Sequence, residues 1–269
     1  VIVQYVREGG MAVLNAADPL VAAMAGACPG RITYFATDGH HPLLATHRAQ
    51  GARVVYRDDD AIVAAEGEQV TRLPLADIPL TLGGRIGFQV ENAMASIAGA
   101  WGLGLDWTLI RAGLASFVSD AGTVPGRFNV FDYRGATLIA DYGHNPDAIQ
   151  ALAQAVQSLP ATRRSVVISG AGDRRDLGQQ TEILGAHFDS GFLYEDQCQR
   201  GRADGEVIAL LRQGLKGATR SRHIEEIRGE FAAIDRALEQ IQPGELCLIL
   251  VDQVEAALDY LARQTASPA

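Results

Sequence analysis

Four side chains within five residues, Asp141, Tyr142, His144 and Asn145, bring a carboxylate, a phenol, an imidazole and an amide into the run Asp-Tyr-Gly-His-Asn-Pro. A carboxylate can accept from ribose hydroxyls, and an imidazole can contact a base or a phosphate. Asn145-Pro146-Asp147 then reads as a helix start, with proline where the missing N–H costs nothing. A strand end that delivers these groups beside a helix N-terminus suits a nucleotide, because the free N–H groups there favour an anion. The plainer alternative makes Asp141 and Asn145 turn and cap residues and His144 a surface imidazole.

Further charge-bearing stretches lie in loops. Gly170-Ala-Gly172-Asp173-Arg174-Arg175-Asp176 places two glycines and paired arginines before a helix. It is not the dinucleotide fingerprint, since Arg175 stands where the third glycine belongs, but it suits electrostatic capture of a carboxylate or phosphate. The loop from Glu195 to Glu206 sets Arg200 and Arg202 among Glu195, Asp196 and Glu206. Two arginines can fork onto a carboxylate while the acids take a cationic group, although a self-paired surface network has the same composition. The run Asp58-Asp59-Asp60 reads as a solvated turn rather than a metal site.

These residues need elements to position them. Residues 127–133 and 136–142 form two short strands joined at Arg134-Gly135, a turn dipeptide. Beyond them, helices are expected over 147–158, 176–188, 204–214, 229–241 and 253–264. Strands are expected over 165–169, 191–195, 219–224 and 246–251. Apolar strands alternating with helices predict a mostly parallel sheet covered on both faces, with ligands at the carboxyl ends of its strands. The first half is strand-rich to about residue 80, with strands at 11–15, 31–37 and 52–57 and a hairpin around Glu66-Gly67-Glu68. Helices follow from Gly87 to Trp101 and from Asp106, an N-cap. Asn92 lies in the first turns of the earlier helix. The makeup of 119–126 is that of a linker, so two domains are expected, 1–124 and 125–269.

The chain has 269 residues, a formal net charge of −9 and scattered arginines, which argues against a nucleic-acid backbone as partner. No apolar run is long enough to span a bilayer, and no secretory signal is seen, so a cytoplasmic location is expected. Three separated cysteines suit a reducing compartment. The single lysine, Lys216, sits between Leu215 and Gly217, so the chain contains no Walker A loop.

AVLNAADP at 12–19, GRIGFQVENAMASIAGAWGLGL at 84–105, PGRFNVF at 125–131, DYGHNPDAI at 141–149, GAGDRRD at 170–176, LYEDQCQRGRADGE at 193–206 and LILVDQ at 248–253 together resemble the Mur ligase family. The resemblance implies an α/β chain: the carboxyl-terminal part of a Mur-type central, ATP-binding domain without its P-loop over 1–124, then a Rossmann-like domain over 125–269. It implies an ATP- and Mg2+-dependent ligase that activates a carboxylate as an acyl phosphate for attack by an amine. Within the family, the match implies addition of arginine to the aspartate side chain of a polymer. Asn92 would contact adenine, Asp141 and His144 the nucleotide, and Arg127 and Arg174 phosphate or the acyl intermediate. Arg200, Arg202, Glu195, Asp196 and Glu206 would recognise the amino acid.

The family's phosphate loop, magnesium ligands and modified lysine are expected ahead of residue 1. The chain alone is therefore expected to be inactive without that missing N-terminal half. Ala17 also replaces the first Asp of the family's Asn-Ala-Asp-Asp-Pro. A ligase for a peptidoglycan precursor or folate, a non-catalytic nucleotide-binding or assembly module, and a homo-oligomer remain compatible with the sequence.

Overall fold

The computed structural model describes residues 2–170, 174–195 and 201–266, with the side chains of helix 174–187 described from Asp176 onward. The chain divides into two compact units, 1–118 and 119–269. The division falls six residues ahead of the expected 124/125 border, in keeping with bonds that tie Ser119 and Val124 to Arg127 and Asn129. Ser119 Oγ donates to Arg127 O (2.6 Å), and Asn129 Nδ2 donates to Val124 O (3.0 Å).

In the first unit, β1 (Met11–Asn15), β2 (Arg31–Ala36) and β3 (Arg53–Asp58) are parallel neighbours. The antiparallel strands β4 (Ala61–Glu66) and β5 (Gln69–Pro74) extend the same sheet. Short α1 (Pro19–Ala23) is capped by Asp18, whose carboxylate accepts from Leu20 and Val21 N–H. Between β2 and β3, α2 (Pro42–Ala49) starts at a proline, as the missing N–H permits. The long apolar helix α3 (Gly87–Gly102) buries Val90, Ala93, Met94 and Ile97 against Val55, Ile62 and Leu73 of the sheet. Helix α4 (Trp107–Ser116) begins at Asp106, which accepts from Thr108 and Leu109 N–H. The triple aspartate is a turn: Asp59 is left-handed (φ 51°), and Asp58 pairs with Arg72. Trp101 and Trp107 pack on each other at 5.3 Å.

In the second unit, β6 (Asn129–Tyr133) and β7 (Ala136–Asp141) form the expected hairpin, with Arg134 and Gly135 both left-handed at the turn. There follow α5 (Pro146–Gln157), β8 (Arg164–Ile168), α6 (Arg174–His187), β9 (Ser190–Glu195), α7 (Glu206–Gly214), β10 (His223–Arg228), α8 (Glu230–Gln240), β11 (Leu246–Leu250) and α9 (Val254–Ala266). Among the described residues the sheet order is β10-β9-β8-β11-β7-β6, parallel throughout except β6. Alternate residues Leu138, Ala140, Val167, Phe192, Tyr194, Cys247 and Ile249 pack on Ala233, Ile234 and Ala237 of α8 and on Leu258 and Leu261 of α9. The residues between them face the opposite side, where α5, α6 and α7 pack on one another.

One strand lies elsewhere than expected. The expected 219–224 strand occupies 223–228 as the sheet-edge strand β10, His-Ile-Glu-Glu-Ile-Arg. Half-exposed edge strands carry charge that keeps other chains from pairing with them, so the apolar run that marks a buried strand is absent here.

Candidate functional site

The parallel strands of the second unit point their carboxyl ends to one edge, where Asp141, Glu195 and the 251–253 turn end β7, β9 and β11. The antiparallel β6 begins at the same edge, pairing Asn129 with Ala140, so Arg127 and Phe128 lie there too. Central β11 sits between β8 and β7, reached from α8 over β8 and β9 and left by α9 over β6, so the chain reverses its direction across the sheet there. Such a reversal leaves a crevice between diverging loops.

Asp141 is 7% exposed, and its Oδ2 accepts from the Phe128 N–H at 2.8 Å. Phe128 is buried in a left-handed conformation (φ 54°) that a bulky residue adopts only when its surroundings hold it there. The preceding Gly126 (φ 69°) donates to Asn129 Oδ1 (2.8 Å), and its carbonyl accepts from Tyr142 N–H (2.9 Å). Arg127 is exposed on this braced turn. Burial pushes the Asp141 carboxyl up to about 6, opposed by the Phe128 N–H, the Arg127 charge, the Gly143 N–H and His144. Asp141, Arg127 and His144 are therefore brought together.

His144 is exposed, with Nδ1 3.0 Å from Tyr142 O and its ring 5.0 Å from that of Tyr142. Gln180 of α6 donates to His144 O at 3.0 Å. Asn145 caps α5 by accepting from Ala148 N–H (2.9 Å), so it is spent on the helix. The result is an imidazole–phenol pair, an arginine on a rigid turn and a helix start, groups that can stack on an aromatic ring and attract an anion.

A second group stands at the end of β9, three strand spacings or about 14 Å along the same edge. Glu195 is 8% exposed, and its Oε1 accepts from Gly205 N–H (2.8 Å). Glu206 opens α7 and accepts from Ala203 N–H (3.3 Å), with half-buried Arg202 in the turn between. Asp196 and Arg200 lie outside the described residues. So does the side chain of Arg174, whose backbone opens α6.

Asn92, in the first unit, is exposed on α3 and donates to Gln89 Oε1 at 3.0 Å. Among the described residues, no group of three or more His, Cys, Asp or Glu could hold a metal ion. No described helix is long and apolar enough to cross a membrane.

Sequence reasoning passed over three contributors: Gln180, left-handed Phe128, and Glu230, which is 1% exposed and accepts from Asp252 N–H (2.9 Å) and Gln253 N–H (3.1 Å). An acid after glycine at a helix start reads as an ordinary partner of the helix dipole, and nothing local marks it as buried.

Residues 126–250 match the family described as "Mur ligase, glutamate ligase domain". The chain as a whole is similar to cyanophycin synthetase. It is 34% identical to the protein of that name from Synechocystis sp. over 97% of its own length, and spans 30% of the relative's. A murein peptide ligase structure from Psychrobacter arcticus, 14% identical, superposes with a TM-score of 0.64 over 100% of this chain and 54% of that one. Escherichia coli FolC in complex with DHPP and ADP, 18% identical, gives 0.63 over 97% of this chain and 66% of that one. Both likenesses are of fold.

Proposed function

We propose that the chain is part of an ATP-dependent ligase that joins arginine to the aspartate side chain of a cyanophycin-like polymer through an acyl phosphate. The observation that carries this reading is the 34% identity to cyanophycin synthetase, which runs through both units and not only the domain common to the family. The FolC neighbour with ADP supports the nucleotide part.

In this reading Tyr142, His144 and Asp141 serve the nucleotide, Asn92 contacts adenine, and Arg127 and Arg174 face phosphate or the acyl intermediate. Developing negative charge on a transferring phosphoryl group is best met by fixed cations, and Arg127 on its braced turn is one. Arg200 and Arg202 take the carboxylate of the incoming arginine, while Asp196 and Glu206 take its guanidinium. Glu195 shapes that loop through Gly205 and adds negative charge.

The test is a substrate panel in which a P-loop-bearing segment of a relative accompanies the chain. Phosphate release from ATP should require arginine and an aspartyl acceptor, and Arg202→Ala should raise KM for arginine about tenfold or more. A preference for lysine, glutamate or diaminopimelate would overturn the assignment.

A further inference from the structure

Glu230 starts α8 immediately after edge strand β10, yet its carboxylate is spent at the centre of the sheet, on the turn between β11 and α9. Its two oxygens divide that turn between them: one accepts from Asp252 N–H at 2.9 Å, the other from Gln253 N–H at 3.1 Å. Both N–H groups precede α9, where a helix start leaves donors without intrahelical partners. With the side chain 1% exposed, water does not replace the carboxylate at this position.

The turn so held is a wall of the crevice. A Cβ on Gly126 would stand 2.7 Å from Val254 Cγ1 and 3.5 Å from Tyr142 Cβ, so the glycine lies directly against the first residue of α9. On the other side Val251 N–H donates to Asp141 O (2.9 Å), and the Asp141 carboxylate holds Phe128 N–H. Arg127 sits between Gly126 and Phe128. One turn is therefore pinned twice, by Asp141 directly and by Glu230 through residues 252–254.

We infer that Glu230 is a positioning residue for Arg127: it fixes the 252–254 segment on which Gly126 rests, and so sets where the guanidinium projects. The inference rests on the reading of 126–128 as a nucleotide-facing turn. Glutamine is nearly isosteric with glutamate but has one acceptor and one donor head. Against two N–H groups, the amide nitrogen must face one of them, and that bond is lost without removing the side chain.

Amide hydrogen exchange on the whole chain, with and without ADP, tests this in wild type, Glu230→Gln and the edge-strand control Glu225→Gln. Glu230→Gln should speed exchange at Asp252 or Gln253 about tenfold and at Phe128 by a smaller factor, with β8 and β9 amides unchanged. It should also weaken ADP binding several-fold, while Glu225→Gln leaves all of these as in wild type. Unchanged exchange at both 252 and 253 would overturn the latch. Faster exchange there with Phe128 unmoved would overturn the link to Arg127. If wild type shows no protection by ADP at 126–128, the nucleotide reading fails, and the Phe128 exchange rate still decides whether Glu230 governs the turn.

Discussion

The two ends of the second unit's sheet are built from opposite charges for one reason. At the carboxyl end, strands run into helix starts, which expose backbone N–H groups; Asp141, Glu195 and Glu230 accept from Phe128, Gly205, and Asp252 with Gln253. At the amino end, helices finish and leave carbonyls, and there the chain uses arginine. Arg164 is 9% exposed and donates to Val156 O (3.0 Å) and Leu159 O (2.6 Å), closing the end of α5. Its own N–H donates to Asp189, which pairs with Arg220 at 2.7 Å. Burial pushes Asp189 up, but Arg220 and that N–H prevail and hold it below the ordinary carboxylate range. The difference teaches how to read acids at a ligand-binding edge. Much of their charge is spent on the backbone, which in the proposed reading leaves arginines on the same edge to meet an anionic ligand.

The sharpest way to break this contrast is at the amino end. Arg164→Ala strands buried carbonyls of α5 and removes no ligand group. It should destabilise the second unit by about 3 kcal/mol in urea denaturation while leaving nucleotide affinity unchanged. At the carboxyl end Asp141→Ala should cost about 2 kcal/mol, and in addition weaken ADP binding about tenfold, because left-handed Phe128 is released.

The pH dependence of Asp141 sharpens the same point. Its folded value of about 6 lies above the ordinary 3.8, so the folded state holds the proton more tightly than the unfolded chain. The stabilising contribution is therefore complete below about pH 4 and is lost as pH rises through about 6; in total it is on the order of 2–3 kcal/mol. The stability advantage of wild type over Asp141→Asn should shrink across that window, and a flat difference would contradict the burial argument. The smallest effect belongs to the sheet edge. Glu225, held down to about 2 by bonds from Arg236, His223 and Gln240, contributes above pH 4.5 and loses that as pH falls through about 2. Because its partners Arg236 and His223 are exposed, Glu225→Gln should cost under about 1 kcal/mol at neutral pH, less in high salt.

Most elements could be read from sequence because their signals are local. Buried strands are apolar runs, Asp18, Asp106 and Asn145 cap the helices they precede, and Arg134-Gly135 turns the hairpin. Strand β10 was displaced because an edge strand carries charge in place of an apolar run. The site was legible in location more than in role. Asp141, Glu195, Arg127 and His144 do lie at strand ends on one edge, but which acid bonds to which N–H depends on contacts such as Glu230 to Asp252, 22 residues apart. No spacing rule encodes that pairing.

Calorimetric titration of ADP into wild type, Arg127→Ala and Arg220→Ala sets the two edges directly against each other. The account predicts that Arg127→Ala loses about tenfold or more in affinity, while Arg220→Ala, at the opposite end of the sheet, binds as wild type does. Equal losses in the two variants, or none in Arg127→Ala, would contradict it.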